Sequence, residues 1–184
     1  FYSAFNKTKQ EKRKIKMKLF FIGDVVGKSG CDFLAANIFK IKKEKGIDIT
    51  VVNGENSAQG NGMTKQSAEF LLANGADVIT TGNHSFKRRE SVSIYEENDV
   101  VLRPSNYPEG VIGKGVTKLD MGRFSVAVIN LMGVVYMEPI GNPFDEADRL
   151  LKEIDTPNIF VDFHAEATAE KKCMGQYLKG RVTA

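Results

Sequence analysis

The two histidines of this 184-residue chain, His84 and His164, each follow an apolar run, and four other ligand-type residues stand in the same kind of place. Asp77-Val78-Ile79-Thr80 reads as a short buried strand, after which the chain turns at Gly82 and presents Asn83 and His84 side by side. Lys18 to Gly23 (KLFFIG) delivers Asp24. Ile49 to Asn53 (ITVVN) delivers Glu55 and Asn56 after Gly54, and Ile159 to Phe163 (IFVDF) delivers His164. Ligands of open α/β sheets bind at the carboxyl ends of the strands. The expectation is therefore that four strand tips converge on one site. Oxygen ligands with imidazole suit Mn, Fe or Zn rather than Ca. A carboxylate such as Glu55 can bridge two metals. Two ions about 3.5–4 Å apart would clamp a phosphoryl group and generate a hydroxide for in-line attack. His84 could act as acid toward the leaving oxygen or stabilise charge on the phosphate.

Taken singly, each residue has a plainer reading. An Asp after a strand is usually a helix cap, Glu55 and Asn56 suit a turn, and His164 between Phe163 and Ala165 suits a satisfied core histidine. Their joint placement at strand ends is what points to a site. Gly23 to Ser29 (GDVVGKS) looks like a phosphate-cradling P-loop but is one residue short, because the required first glycine would fall at Ile22.

The elements that must carry these residues alternate. Leu19 to Ile22 reads as a strand and Gly30 to Lys45 as a helix, with Leu34, Ile38 and Ile41 on one face, basic residues in the last turn and Gly46 as the stop. Ile49 to Val52 is a second strand, and Thr64 can cap a helix running to Asn74. After the strand ending at Thr80, a helix over Lys87 to Asn98 and a strand over Val100 to Leu102 are expected. The alternation then breaks into a hairpin, Val116 to Asp120 and Phe124 to Leu131. A helix opened by Asn142-Pro143, a strand at Ile159 to Phe163, a helix at Thr168 to Leu178 capped by Thr168, and the start of a strand at Arg181 to Ala184 complete the chain. The fold class is α/β.

Composition narrows the classes. The formal charge of +3 is misleading, because residues 1–16 hold six Lys/Arg and one acid, which leaves the rest two units negative. The basic balance belongs to that tail, so nucleic-acid binding is not expected of the domain. Residues 1–16 read as an upstream extension before Met17, or as a disordered basic arm or transit-type segment, and residues 17–184 as one domain. Cys31 and Cys173 have no metal-type spacing and read as reduced thiols of a cytoplasmic protein. No run of about 18 apolar residues marks a membrane span.

Five ordered motifs then carry a resemblance. Gly23-Asp24-Val25-Val26-Gly27, Asn53-Gly54-Glu55-Asn56, Thr81-Gly82-Asn83-His84, Arg103-Pro104-Ser105-Asn106-Tyr107-Pro108 and Asp162-Phe163-His164-Ala165-Glu166-Ala167-Thr168 resemble the YmdB-type branch of the calcineurin-like metallophosphoesterases. The resemblance implies a four-layer α/β/β/α sandwich, a binuclear Fe or Mn centre and cytoplasmic phosphodiesterase action on cyclic nucleotides. By that pattern Asp24 would sit on the first metal, Glu55 would bridge, and Asn83 and His164 would sit on the second. Asn56 would hold a metal or the phosphate, and His84 would be the catalytic histidine.

Two departures stand out. The family pattern adds a Gly-Thr-His-Thr-His motif with two ligand histidines, and this chain reaches Ala184 before it, so the fold is expected to be C-terminally incomplete. The family usually continues Asn-His with Thr-Trp-Asp, whereas here Ser85-Phe86-Lys87 come next, which is expected to bring a positive charge near the site. The expectation is a metal-dependent phosphodiesterase in which the chain as given binds metal poorly and turns over slowly. The alternative is a catalytically dead remnant that binds a nucleotide or partner at the same tips. A lost strand would leave a sheet edge open, which is compatible with a homo-oligomer.

Overall fold

The computed structural model describes residues 17–184, and the tail over residues 1–16 lies outside the described residues. β1 (Leu19–Ile22), β2 (Ile49–Asn53), β3 (Val78–Thr80) and β4 (Val101–Leu102) form a parallel sheet in that order. α1 (Gly27–Lys45), α2 (Lys65–Ala73) and α3 (Ser91–Glu97) come after its first three strands in turn. β5 (Val116–Asp120) and β6 (Ser125–Met132) form an antiparallel pair, and β7 (Ile159–His164) lies parallel to β6 on its other side. α4 (Pro143–Glu153) connects β6 to β7, and α5 (Thr168–Leu178) comes last.

Side-chain alternation assembles the layers. Ile49 and Val51 of β2 face Val126 and Val128 of β6, which joins the two sheets, whereas Val52 turns outward to Leu34, Ile38 and Leu71 of the helices. In β6 the odd positions Ala127, Ile129 and Leu131 pack on Leu150 of α4 and Met174 of α5. The result is a four-layer α/β/β/α sandwich, as the resemblance implies. Central strands covered on both faces read as continuous apolar runs, and β2 is buried along its whole length.

Several boundaries shift for local reasons. α1 starts at Gly27 rather than Gly30, because a left-handed Gly27 (φ 56°) lets the helix begin directly behind Asp24. β3 begins at Val78 rather than Asp77. The Asp77 carboxylate instead accepts from Thr50 N at 2.7 Å and Lys42 Nζ at 2.8 Å, tying the entry of β3 to β2 and α1. α3 starts at Ser91, since residues 82–90 are a series of turns that carry the site. α5 has Ala167 rather than Thr168 at its N-cap. Arg181–Ala184 is not a strand, although Thr183 N donates to Ile159 O and Val161 N to Ala184 O along β7. Thr64 caps α2 as expected, in a reciprocal box with Ser67.

One amide crosses between the sheets. Asn130, fully buried in β6, donates from Nδ2 to Thr81 O at 2.8 Å and Leu102 O at 3.0 Å. Its even register position aims it at the parallel sheet, where it fixes the chain leaving β3. Asn130→Ala strands the buried Thr81 carbonyl and leaves Leu102 O with Thr81 Oγ1 alone, and is expected to cost about 1–3 kcal/mol by urea unfolding. A loss below about 1 kcal/mol would show that water takes over this role.

Candidate active site at the converging strand tips

All six ligand-type residues meet in one hydrogen-bonded set. Asp24 adopts a left-handed backbone (φ 39°), rare for a residue with a side chain, as the chain swings from β1 into α1. Its Oδ1 accepts from Asn56 Nδ2 at 2.7 Å. Asn56 Oδ1 meets His84 Nδ1 at 2.7 Å, and the His84 backbone N–H donates to Glu55 Oε2 at 3.0 Å. Glu55 Oε1 lies 3.3 Å from His164 Nε2, which is also 2.9 Å from Asn83 Oδ1. The backbone stitches the same tips, with Val25 N donating to Asn53 O, Gly27 N to Asn56 O and Gly54 N to Thr80 O.

This network fixes orientations. Asn56 must turn Nδ2 toward the acceptor-only carboxylate of Asp24, so its Oδ1 faces His84. An amide oxygen only accepts, so His84 carries a proton on Nδ1. Its Nε2 is then the atom left to give or take a proton. Asn83 and His84 are neighbours in sequence but serve opposite sides, Asn83 toward β7 and His84 toward β2.

The site is acidic. Glu55 is 2% exposed, and among the described residues no Lys or Arg pairs with Glu55, Asp24 or Asp162. Burial raises the pKa of Asp162 on β7, against the opposing pull of Thr80, His164 and Asn53. Oδ2 of Asp162 and Oδ1 of Asn53 are buried without a hydrogen-bond partner. Lys87, just beyond the Asn-His pair, is solvent-exposed and pairs with none of these acids, so the expected positive charge does not enter the network. The P-loop look-alike is equally remote from phosphate chemistry, since Lys28 pairs with Asp32 on the outside of α1.

Two acceptor oxygens, Glu55 Oε1 and Asn83 Oδ1, gather at His164 Nε2, which donates to Asn83 here and would give up that proton to take a metal, and Asp24 and Asn56 stand beside them. In kind this donor set fits a divalent metal such as Mn or Fe. In number it is lean. No group of three or more His, Cys, Asp or Glu suited to a metal occurs among the described residues, and two of the six residues at the tips, Asn56 and Asn83, are amides.

Supporting residues were not legible in the sequence. A Cβ on Gly82 would collide with the His164 ring, so only glycine lets the two tips close. Thr81 Oγ1 donates to Leu102 O at 2.8 Å and receives the buried Tyr95 hydroxyl at 3.1 Å, behind the Asn-His turn. Burial pushes the Tyr95 phenol well above its ordinary pKa, so it stays a donor. Asn106 of the Arg-Pro-Ser-Asn-Tyr-Pro stretch exchanges hydrogen bonds with Met132 and donates to Gly141 O, making that motif a brace across the top of β6. The signal available for Asn130 and Asp162 was a lone polar residue inside an otherwise apolar strand.

The family model for YmdB-like proteins matches residues 20–184. The chain belongs to the YmdB-like family. A Bacillus subtilis member named 2′,3′-cyclic-nucleotide 2′-phosphodiesterase is 42% identical over 170 residues, covering 91% of this chain and 64% of that protein. Among solved structures, a Thermus thermophilus protein described as hypothetical superposes with a TM-score of 0.86 at 36% identity, over 91% of this chain and 65% of that one. A Mycoplasma pneumoniae protein described as a novel phosphatase gives 0.84 at 30% identity, over 91% of this chain and 62% of that one. The chain thus spans somewhat less than two thirds of the length of these three proteins. No described helix is long and apolar enough to cross a membrane.

Gly82→Ala is expected to drive the His164 ring off both Asn83 and Glu55. A crystal structure of the variant with the 2.9 Å and 3.3 Å contacts intact would refute that account of the closed tips.

Proposed function

We propose that the converging tips are the phosphoryl-handling centre of a phosphodiesterase acting on a small nucleotide-type diester. The observation that carries this reading is the single network joining Asp24, Asn56, His84, Glu55, His164 and Asn83 across both sheets. The Bacillus relative's printed activity supports the substrate class. Asp24, Glu55, Asn56, Asn83 and His164 would hold the metal, with Glu55 placed between the Asp24 side and the His164 side. A divalent ion bound there would supply Lewis acidity toward a phosphoryl oxygen.

The remaining work falls to the chain itself. Glu55 stays oriented because the His84 amide holds its Oε2, which leaves Oε1 facing the His164 ring at 3.3 Å. Asp24 sets Asn56, and Asn56 sets His84, so Nε2 of His84 is presented with a defined proton inventory. With the ring in its imidazolium form and Nδ1–H kept on Asn56, that nitrogen would give its proton to the leaving oxygen and return the ring to the neutral Nδ1–H tautomer, a role worth roughly 10²–10⁴ in rate.

A second reading, nucleotide binding without turnover, is favoured by one observation: among the described residues no group of three or more His, Cys, Asp or Glu is placed to hold a metal. One experiment separates the two. Metal content is measured after Mn or Fe loading, alongside hydrolysis of bis-p-nitrophenyl phosphate. Stoichiometric metal with turnover that drops at least ~100-fold in His84→Ala supports the enzyme. Metal with full turnover in His84→Ala removes His84 from the chemistry. Absence of both metal and turnover leaves the binding reading.

A further inference from the structure

The turn after β6 is built around an anomaly. Met132 pairs with His164 in the β6–β7 register, and Gly133 N donates to His164 O at 2.8 Å, so the next residues leave from the side of a site histidine. Val134 to Met137 close a turn through Met137 N to Val134 O. Its third residue, Tyr136, has φ 64°. Of the two central residues only Tyr136 has positive φ, the pattern of a type II turn, whose third position belongs to Gly or Asn. A tyrosine there is strained. It is also 87% exposed, with Val135 beside it 41% exposed, so burial does not offset the strain.

The turn is held firmly from behind. The buried Glu170 carboxylate of α5 accepts from Val134 N at 2.9 Å and Val135 N at 3.3 Å. A Cβ on Gly133 would collide with that carboxylate and crowd Ala165, the residue after His164. A glycine-tight approach and a buried carboxylate thus fix a strained, exposed aromatic four residues along the chain from Met132, the register partner of His164. Strain of this kind collects at ligand-handling positions.

We infer that Tyr136 is a substrate-recognition residue that stacks on the base of a nucleotide whose phosphate lies at the strand tips. The inference rests on the phosphoryl-site reading under Proposed function. Base–aromatic stacking tolerates any base, so this contact would select nucleotides over simple phosphoesters rather than one base over another.

Calorimetry on Mn-loaded protein can compare adenosine monophosphate with ribose 5-phosphate, which shares the phosphate and lacks the base. Tyr136→Ala and Tyr136→Gly are expected to weaken the nucleotide roughly 5- to 100-fold, the size of a lost stack, and to leave ribose 5-phosphate unchanged. Tyr136→Phe should bind like the parent. Tyr136→Gly should also raise the melting temperature, because glycine relieves the turn. Equal nucleotide affinity in parent and Tyr136→Ala overturns this inference alone. Parallel loss of both ligands overturns it too, by showing that the turn only supports the phosphate site. Failure of the parent to bind either ligand overturns the phosphoryl-site reading and this inference with it.

Discussion

The Glu55 carboxylate is the constraint on which the arrangement depends. It is buried, it belongs to the tip of β2, and its two oxygens reach the β3 turn through the His84 amide and the tip of β7 through the His164 ring. No other carboxylate in the network touches both sheets. Burying a carboxylate without a Lys or Arg costs several kcal/mol even after relaxation. One amide and a 3.3 Å imidazole offset only part of that. The site is therefore a liability that the apolar layers carry, with each fully buried Leu or Ile such as Leu71 or Ile94 contributing about 1.5–3 kcal/mol. A pocket that is costly without a cation is one that gains most by acquiring one.

The rest of the architecture holds the tips of β2, β3 and β7 together against that cost. Asn130 anchors the exit of β3, Tyr95 and Thr81 brace the turn behind it, and Asn106 clamps the exit of β6. None of these groups belongs to the hydrogen-bonded set at the tips. Each is a buried polar side chain with partners, and such networks specify one arrangement when they are filled. The network here is nearly filled, and its gaps are instructive. The unpartnered oxygens are on Asn53, Asp162 and Asn130, at or beside the tips, and on Thr50 and Thr80 of the strands that lead there.

How much of this was legible depends on what a sequence can encode locally. Strand tips were readable because an apolar run leading into a ligand-type residue is a local pattern, and it recurred four times. The six ligand-type residues were picked out that way, and the structure brings all six together. Helix starts were less legible. α1 begins three residues early because Gly27 can take a left-handed turn, and α3 begins late because Ser85 and Ser91 bond back to local carbonyls and favour turns over a helix. Thr168 looked like a cap, yet the extended residue before the helix is Ala167.

What escaped the sequence is pairwise across long separations. Gly82 is forced by His164, 82 positions away, and Gly133 by Glu170, 37 positions away. Nothing in the neighbourhood of either glycine announces the partner. Both glycines mark the same physical event, the close approach of a loop to a side chain that must not move. At Gly82 the protected group is an imidazole of the site, and at Gly133 it is the carboxylate that shapes the Val134–Met137 turn. The two close approaches flank β7 and the residues just after it, so the ligand end of the second sheet is fitted on both sides by absent side chains. That makes the β7 tip the least adjustable part of the centre. The β1 tip, where Asp24 is exposed and held by one amide, is the most adjustable.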